Sequence, residues 1–317
     1  MQDARTLGAR LFVAVQHLLP QHVLSRVVHR IARSRNERVK NALISAFVRG
    51  FRPDMSDAVQ PDPLRYPSFN DFFTRALQPD ARPIDPDPHT LVSPVDGTIS
   101  QIGQINGRRL IQAKGQEFTL DALLDGASAD AERFAGGSFA TLYLAPYNYH
   151  RIHMPADGTL RSAWFVPGRL FSVNATMAAS VRGLFARNER VVCVFEGGPT
   201  AFALVLVGAL FVGSISTVWH GDVTPCSPRR RRELPLDASS APLSLRKGQE
   251  MGRFNMGSTV ILLLPPGAGQ WLPEWQPGSR IRVGQPLARL HGRLRDECAS
   301  GHAQAAHAGR DDALHER

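Results

Sequence analysis

The chain has little sulfur, no long apolar run and none of the short motifs that mark the commonest hydrolases. Its three cysteines, Cys193, Cys226 and Cys298, are odd in number and show no C-x-x-C or zinc-like spacing. No disulfide framework is expected, and a reducing compartment is. No stretch reaches the roughly 18 apolar residues of a transmembrane helix, so the chain is not expected to span a bilayer. Arg5 and Arg10 precede only the short run Leu11 to Val15, which Gln16 and His17 follow, so no signal peptide is expected. The Gly-x-Ser-x-Gly elbow and the His-Glu-x-x-His zinc motif are both missing, which withdraws support from the ordinary serine hydrolases and zincins. There is no internal repeat.

What remains is globular. Of 317 residues 43% are hydrophobic and 21% charged, enough for one large domain or two smaller ones and too apolar for a disordered chain. The formal net charge of +9 suits an anionic partner: nucleic acid, lipid headgroups or a phosphorylated substrate. Charge alone does not choose among them.

Residues 7 to 50 read as helices. Leu11, Val15, Leu18 and Leu19 recur at helical spacing before Pro20. Val23, Leu24, Val27, Val28 and Ile31 form a second apolar stripe. Arg26, His29, Arg30, Arg33, Arg35, Arg38 and Lys40 surround it, and Leu43, Ile44, Phe47 and Val48 carry the apolar face to Gly50. Such a segment can lie in the plane of an anionic interface, or it can pack its apolar face on the protein's own core. Phe51 to Tyr66 is a connector, and Ser68-Phe69-Asn70-Asp71 resembles a capping box opening a short helix. A Pro/Asp-rich stretch marks a boundary. The expected division is an N-terminal helical docking region 1–78, a linker 79–90, a β-rich domain 91–295 and a disordered tail 296–317. Strands are expected at Leu91–Val92, Thr98–Ser100, Arg109–Ala113, Phe139–Ala145, Thr159–Val166, Arg190–Phe195, Ala201–Val207, Phe211–Val218, within Arg246–Leu264, and within Arg280–Leu290 around a hairpin-like Val283–Leu287 turn. The fold class is α+β: amphipathic helices followed by a mainly antiparallel, barrel-like sheet domain.

Three stretches could carry chemistry. Asp96, before Gly97, reads by itself as a turn aspartate. His150 and His153 share a face only if their segment is helical or turned; a straight strand sends them to opposite sides. Histidine suits general base work near neutral pH, and a His-x-x-His pair also suits a metal. In Gly257-Ser258-Thr259 a hydroxyl follows a carbonyl whose own residue carries no side chain. On a strained backbone that hydroxyl can attack the preceding peptide bond. An acid, a base and a serine in separate segments make a triad only by geometry.

Pro94-Val95-Asp96-Gly97, Tyr149-His150-Arg151-Ile152-His153-Met154-Pro155 and Gly257-Ser258-Thr259 together resemble the prokaryotic phosphatidylserine decarboxylase proenzymes. Ile111 to Gly115, Val166 to Asn174, Leu184 to Arg190 and Lys247 to Phe254 extend the resemblance over roughly residues 10 to 290, with Met256 where the family usually has Leu. The resemblance implies a self-processing enzyme. Asp96 would orient His153, and His153 would deprotonate Ser258, which attacks the Gly257 carbonyl. Fragments 1–257 and 258–317 would stay associated, with Ser258 converted into a covalent pyruvoyl group. That group would form a Schiff base with the amine of phosphatidylserine and yield phosphatidylethanolamine. His150 would position substrate or donate a proton, with His153 its rival for the latter. The implied partners are the phospholipid, an anionic membrane surface on the cytoplasmic face and a homo-oligomeric copy, with neither nucleic acid nor metal. Two other readings compete. One is a zinc hydrolase using His150 and His153. The other is a non-enzymatic membrane-binding β module, against which stands the lack of an Asp-Lys or Met-Lys turn.

Overall fold

The computed structural model describes residues 7–113, 115–126, 128–210, 214–226, 228–235, 241–256 and 259–291. Gly257, Ser258 and the tail 296–317 lie outside them. Helices α1 (Leu7–Leu18), α2 (Gln21–Ala32), α3 (Glu37–Phe51) and α4 (Phe69–Phe73) come first. Pro20 separates α1 from α2, since it cannot continue the ladder of the preceding helix. Asn36 caps α3 by accepting from the Arg38 and Val39 amides, and Ser68 caps α4 by accepting from Asp71, as the sequence predicts.

The β-rich part follows. Its first elements are β1 (Thr90–Val92), β2 (Gly97–Gln104), β3 (Arg109–Ala113), β4 (Gln116–Thr119), α5 (Leu120–Leu124), α6 (Ser128–Phe134), β5 (Ser138–Tyr143) and β6 (Arg151–His153). Next come β7 (Gly158–Val166), α7 (Ala175–Ser180), α8 (Leu184–Arg187), β8 (Arg190–Glu196), β9 (Phe202–Val207), β10 (Ile215–Thr217), β11 (Gly221–Asp222), β12 (Arg232–Glu233) and β13 (Ser244–Leu245). The chain ends its regular structure with β14 (Glu250–Phe254), β15 (Thr259–Leu264), β16 (Gly269–Trp271), β17 (Arg280–Ile281) and β18 (Pro286–Leu290). Nine of these strands form one antiparallel sheet in the order β12-β7-β8-β9-β15-β5-β2-β17, with β13 also on β7. Its path is open at both ends, so the antiparallel α+β architecture stands without a closed barrel. A four-stranded sheet, β11-β10-β14-β6, lies beside it. The Val283–Leu287 turn does not close a hairpin: β17 pairs with β2, whereas β18 pairs with β1 and β16.

The central strands β5, β8, β9 and β15 are buried along nearly their whole length because both faces of the large sheet are covered. Along β15, Val260, Leu262 and Leu264 enter one core layer and Ile261 and Leu263 the other. Strands β8 and β9 alternate in the same way, as the two-residue period requires. A third cluster joins Ile44 of α3 to Tyr66, Phe69, Phe72 and Phe73, and Met256 packs on it. The segment expected as a linker lies against the β-rich part: the Asp85 amide donates to the Gly284 carbonyl at 3.1 Å, and Arg82 pairs with Asp96.

Helix α2 is turned against its sequence pattern. Val23, Val27 and Ile31 are 53%, 47% and 44% exposed, whereas Gln21, Ser25 and Ala32 face inward. The reason is a set of amide contacts. Gln21 Oε1 accepts from the Leu170 amide and Gln16 Oε1 from the Ser172 amide, each at 2.8 Å, and Gln21 Nε2 donates to the Gln16 carbonyl. Glutamines dock the two helices, and the apolar ridge is left outside.

Candidate functional site

Three stretches meet where the chain passes from β14 to β15. The turn before β2 lies along the segment containing β6, because the Val92 amide donates to the Pro155 carbonyl and the His153 amide to the Pro94 carbonyl. Gly97 is needed for this approach: a Cβ there would stand 2.5 Å from the Tyr143 carbonyl oxygen. Strand β6 in turn pairs with β14, and the Phe254 amide donates to the His150 carbonyl at 3.0 Å. His150 therefore lies beside the last residue of β14, while His153 is opposite Glu250 at its start.

His153 ends β6, His150 immediately precedes that strand, and the two face different neighbours. His150 is fully buried, with its ring centroid 4.1 Å from that of Phe73. Its Nδ1 donates to the Asn148 carbonyl at 2.8 Å, and its buried Nε2 has no partner among the described residues. Burial, and then the nearby Arg75 charge, bring its pKa down to about 3. The ring is neutral near pH 7, with an unfilled acceptor at Nε2.

His153 is held at both nitrogens. Nδ1 donates to the Gly248 carbonyl at 2.7 Å, which fixes the tautomer, and Nε2 accepts from the Tyr149 hydroxyl at 3.0 Å. Gly248 presents that carbonyl from a left-handed turn (φ 81°), where a Cβ would also meet Ile84. Burial lowers the His153 pKa, while the Gly248 bond and the charges of Glu250 and Asp96 oppose the shift. Burial pushes the Tyr149 phenol up to about 12, so it keeps its proton and remains a donor.

Asp96 is 5% exposed and makes no hydrogen bond to His153. Its carboxylate takes Arg82 Nη2 at 2.6 Å, Arg82 Nε at 3.0 Å and the Val283 amide at 2.9 Å. Arg82 also donates to Asp57 at 2.8 Å. Asp96 thus reaches the His153 ring through its charge, and the Gly248 carbonyl holds the ring's orientation.

Asn255 anchors the chain just before residues 257–258. Its Nδ2 donates to Ser216 Oγ at 2.6 Å and Ser214 Oγ at 3.0 Å, and its Oδ1 accepts from Asn70 at 3.3 Å. Ser216 donates onward to Asp222, which pairs with Arg33 at 2.5 Å. Immediately after residue 258, the buried Thr259 hydroxyl has no partner among the described residues. Four residues were given no role from sequence. Tyr149 lies inside a quoted stretch, Asn255 falls in the gap between Phe254 and Gly257, and Gly248 is visible as a turn glycine. Arg82 gave no signal, since its partner is 14 positions away across a proline-rich segment.

Among the described residues no group of three or more His, Cys, Asp or Glu side chains could hold a metal ion. His150 and His153 serve different environments, so the zinc alternative finds no ligand set here. Among the same residues no helix is long and apolar enough to cross a membrane.

A family model described as phosphatidylserine decarboxylase matches residues 69–289, and one described as PSD matches residues 11–52. A phosphatidylserine decarboxylase proenzyme of Bordetella pertussis is 53% identical over 280 residues, covering 88% of this chain and 94% of that protein. Proteins of the same name from Bordetella avium and Azotobacter vinelandii are each 50% identical, covering 90% and 88% of this chain and 97% and 98% of their own lengths.

Proposed function

The chain belongs to the phosphatidylserine decarboxylase family, and from that premise we propose that it removes the carboxylate of phosphatidylserine at a membrane surface, using a pyruvoyl group cut from its own backbone at Gly257–Ser258. Ser258 Oγ attacks the Gly257 carbonyl, the peptide C–N bond breaks and an ester forms. Loss of the Ser258 α-proton then expels the Gly257 carboxylate, leaving dehydroalanine at the head of fragment 258–317. Water converts that residue to a pyruvoyl group and ammonia. The serine proton goes to Nε2 of His153, whose lone pair the Tyr149 hydroxyl now holds, so Tyr149 turns aside or relays it. Asp96 raises the proton affinity of that ring from a distance.

The observation that carries this reading is the crossing itself. Residues 257–258 join β14, paired with the histidine segment, to β15, which lies between β9 and β5. A cut there leaves the small fragment's first strand in the middle of the large sheet. Its buried Val, Ile and Leu side chains contribute about 1.5–3 kcal/mol each, so the fragments stay together. The surroundings also fit the group. Among the described residues His150 Nε2 and Thr259 Oγ1 are buried without hydrogen-bond partners. When present, the group supplies a ketone that captures the substrate amine and withdraws electrons as carbon dioxide leaves. His150, neutral and with its Nδ1 proton committed to Asn148, accepts an N–H from that amine. It positions substrate rather than donating a proton. Purified protein is expected to run as two bands whose masses match 1–257 and 258–317, the smaller resistant to Edman degradation. Active protein that stays one chain overturns the proposal.

Membrane docking is assigned to α1 and α2, within an N-terminal region 1–78 joined through 79–90 to the catalytic domain 91–295. The ridge Leu18, Val23, Val27 and Ile31 is exposed and flanked by exposed Arg26 and Arg30. An apolar ridge of this kind suits the interface of an anionic cytoplasmic leaflet. Replacing Val27 and Ile31 by Asp is expected to lower partitioning onto anionic vesicles by roughly 10- to 100-fold, since each side chain, about half exposed, loses on the order of 0.7–1.5 kcal/mol of burial. Cleavage at Gly257–Ser258 should be unchanged. Equal sedimentation with vesicles would refute the assignment.

A further inference from the structure

Two guanidinium groups in this fold are almost wholly buried without a carboxylate, and they are treated differently. Arg190, 2% exposed, donates to four carbonyls: those of Leu123, Ala122, Ala186 and Asn188. Arg75, 4% exposed, uses Nη2 alone, at 3.4 Å from the Asp54 carbonyl and 3.2 Å from the Tyr147 carbonyl. Its Nε is buried with no acceptor, and its Nη1 makes no hydrogen bond among the described residues. Burial lowers its pKa, so the charged form is held at a cost.

Arg75 lines a cavity of about 250 Å³ with Arg52, Arg280 and Arg282. Among the described residues none of these four has a carboxylate oxygen within 4.0 Å. The cavity also touches Arg82, but that side chain is committed to Asp96 and Asp57. Five arginines thus face three carboxylates, Asp54, Asp57 and Asp96, which leaves a formal surplus of two positive charges in the lining. A concave site with a surplus of positive charge, one guanidinium of it desolvated and short of acceptors, suits a further anion. Planar N–H forks match the oxygens of a phosphate group. At about 30 Å³ per water the space equals roughly eight waters. That suffices for a phosphate with a small polar arm and not for acyl chains.

We propose that this cavity binds a phosphate-type oxyanion, held by Arg75 from within and by Arg52, Arg280 and Arg282 at its mouth. A free phosphate and the phosphodiester of a lipid headgroup offer the same oxygens, so the test includes both. Inorganic phosphate and glycerophosphoserine are titrated calorimetrically into the full chain at constant ionic strength, so that general screening does not contribute. Saturable one-to-one binding is expected, weakened at least about tenfold by Arg280→Gln with Arg282→Gln, two exposed positions whose loss should leave the melting temperature near that of the parent. Arg75→Lys, which keeps the charge and loses the fork, should weaken binding as well. Tighter binding of glycerophosphoserine than of phosphate assigns the site to the headgroup, and the reverse assigns it to a free anion. Absence of saturable heat with both probes overturns the proposal, as does unaltered binding by the folded double variant. Neither result depends on whether the chain is cut at Gly257–Ser258, which the fragment masses report separately.

Discussion

The Ser258→Ala protein is expected to remain a single chain of 317 residues and to release no carbon dioxide from phosphatidylserine. The substitution removes one oxygen and leaves the flanking strands β14 and β15 their own side chains. The loss should nevertheless be complete, at least about 10³-fold in each assay, because the same residue supplies both the nucleophile and the ketone. Ser258→Cys separates chemistry from shape. A thiolate also attacks the Gly257 carbonyl, and elimination from the thioester leaves the same dehydroalanine. Two fragments should therefore form at a different rate, the smaller of the original mass and the larger carrying sulfur in place of one C-terminal carboxylate oxygen until water replaces it. Decarboxylation by uncut Ser258→Ala protein would remove Ser258 from the reaction. Uncut Ser258→Cys with a normal melting temperature would show that the carbonyl is not poised for attack by residue 258.

The parts of this fold legible in the sequence are those set by local periodicity. Runs such as Arg190–Phe195 and Thr259–Leu264 became strands because both sheet faces are covered, which is what an unbroken apolar run requires. The cap at Ser68 was also readable, since its partner Asp71 is three residues away. What the sequence hid depends on distant partners. Periodicity gave the apolar stripe on α2 without saying which way it faces. That direction follows from Gln16 and Gln21 gripping the backbone near residue 171, some 150 positions on. In the site, the three-residue spacing of His150 and His153 left open whether they share a face, and the structure puts His150 just before β6 and His153 at its end. The expectation that Asp96 orients His153 came from resemblance alone. The carboxylate's direct partners, Arg82 and the Val283 amide, lie 14 and 187 positions away. No local pattern announces them.

Asp96→Ala is expected to produce two losses that can be measured apart. The first is stability. Asp96 and Arg82 have side chains only 8% and 13% exposed, and removing Asp96 leaves Arg82 with the partly exposed Asp57 alone and the Val283 amide without its acceptor. The cost is about 3–5 kcal/mol, or roughly 10 °C in melting temperature, when compared within the uncut Ser258→Ala background. Asp96→Asn, which keeps an acceptor for the Val283 amide, should cost less. The second is processing. In the protein with Ser258 intact, Asp96→Asn should slow cleavage by at least about tenfold by removing the charge that favours a proton on His153. The sign of the pH effect separates this role from a structural one. Burial already lowers the His153 pKa, and the Asp96 charge partly opposes that shift. Without the charge the pKa falls further, the base form persists to lower pH, and the acid limb of the cleavage-rate profile moves down. A carboxylate that served only to hold Arg82 would change the height of the profile through the folded fraction and leave its acid limb nearly in place. An unmoved limb in folded Asp96→Asn protein would assign Asp96 to the arginine alone, leaving the Gly248 carbonyl and the Tyr149 hydroxyl as the groups that set the base.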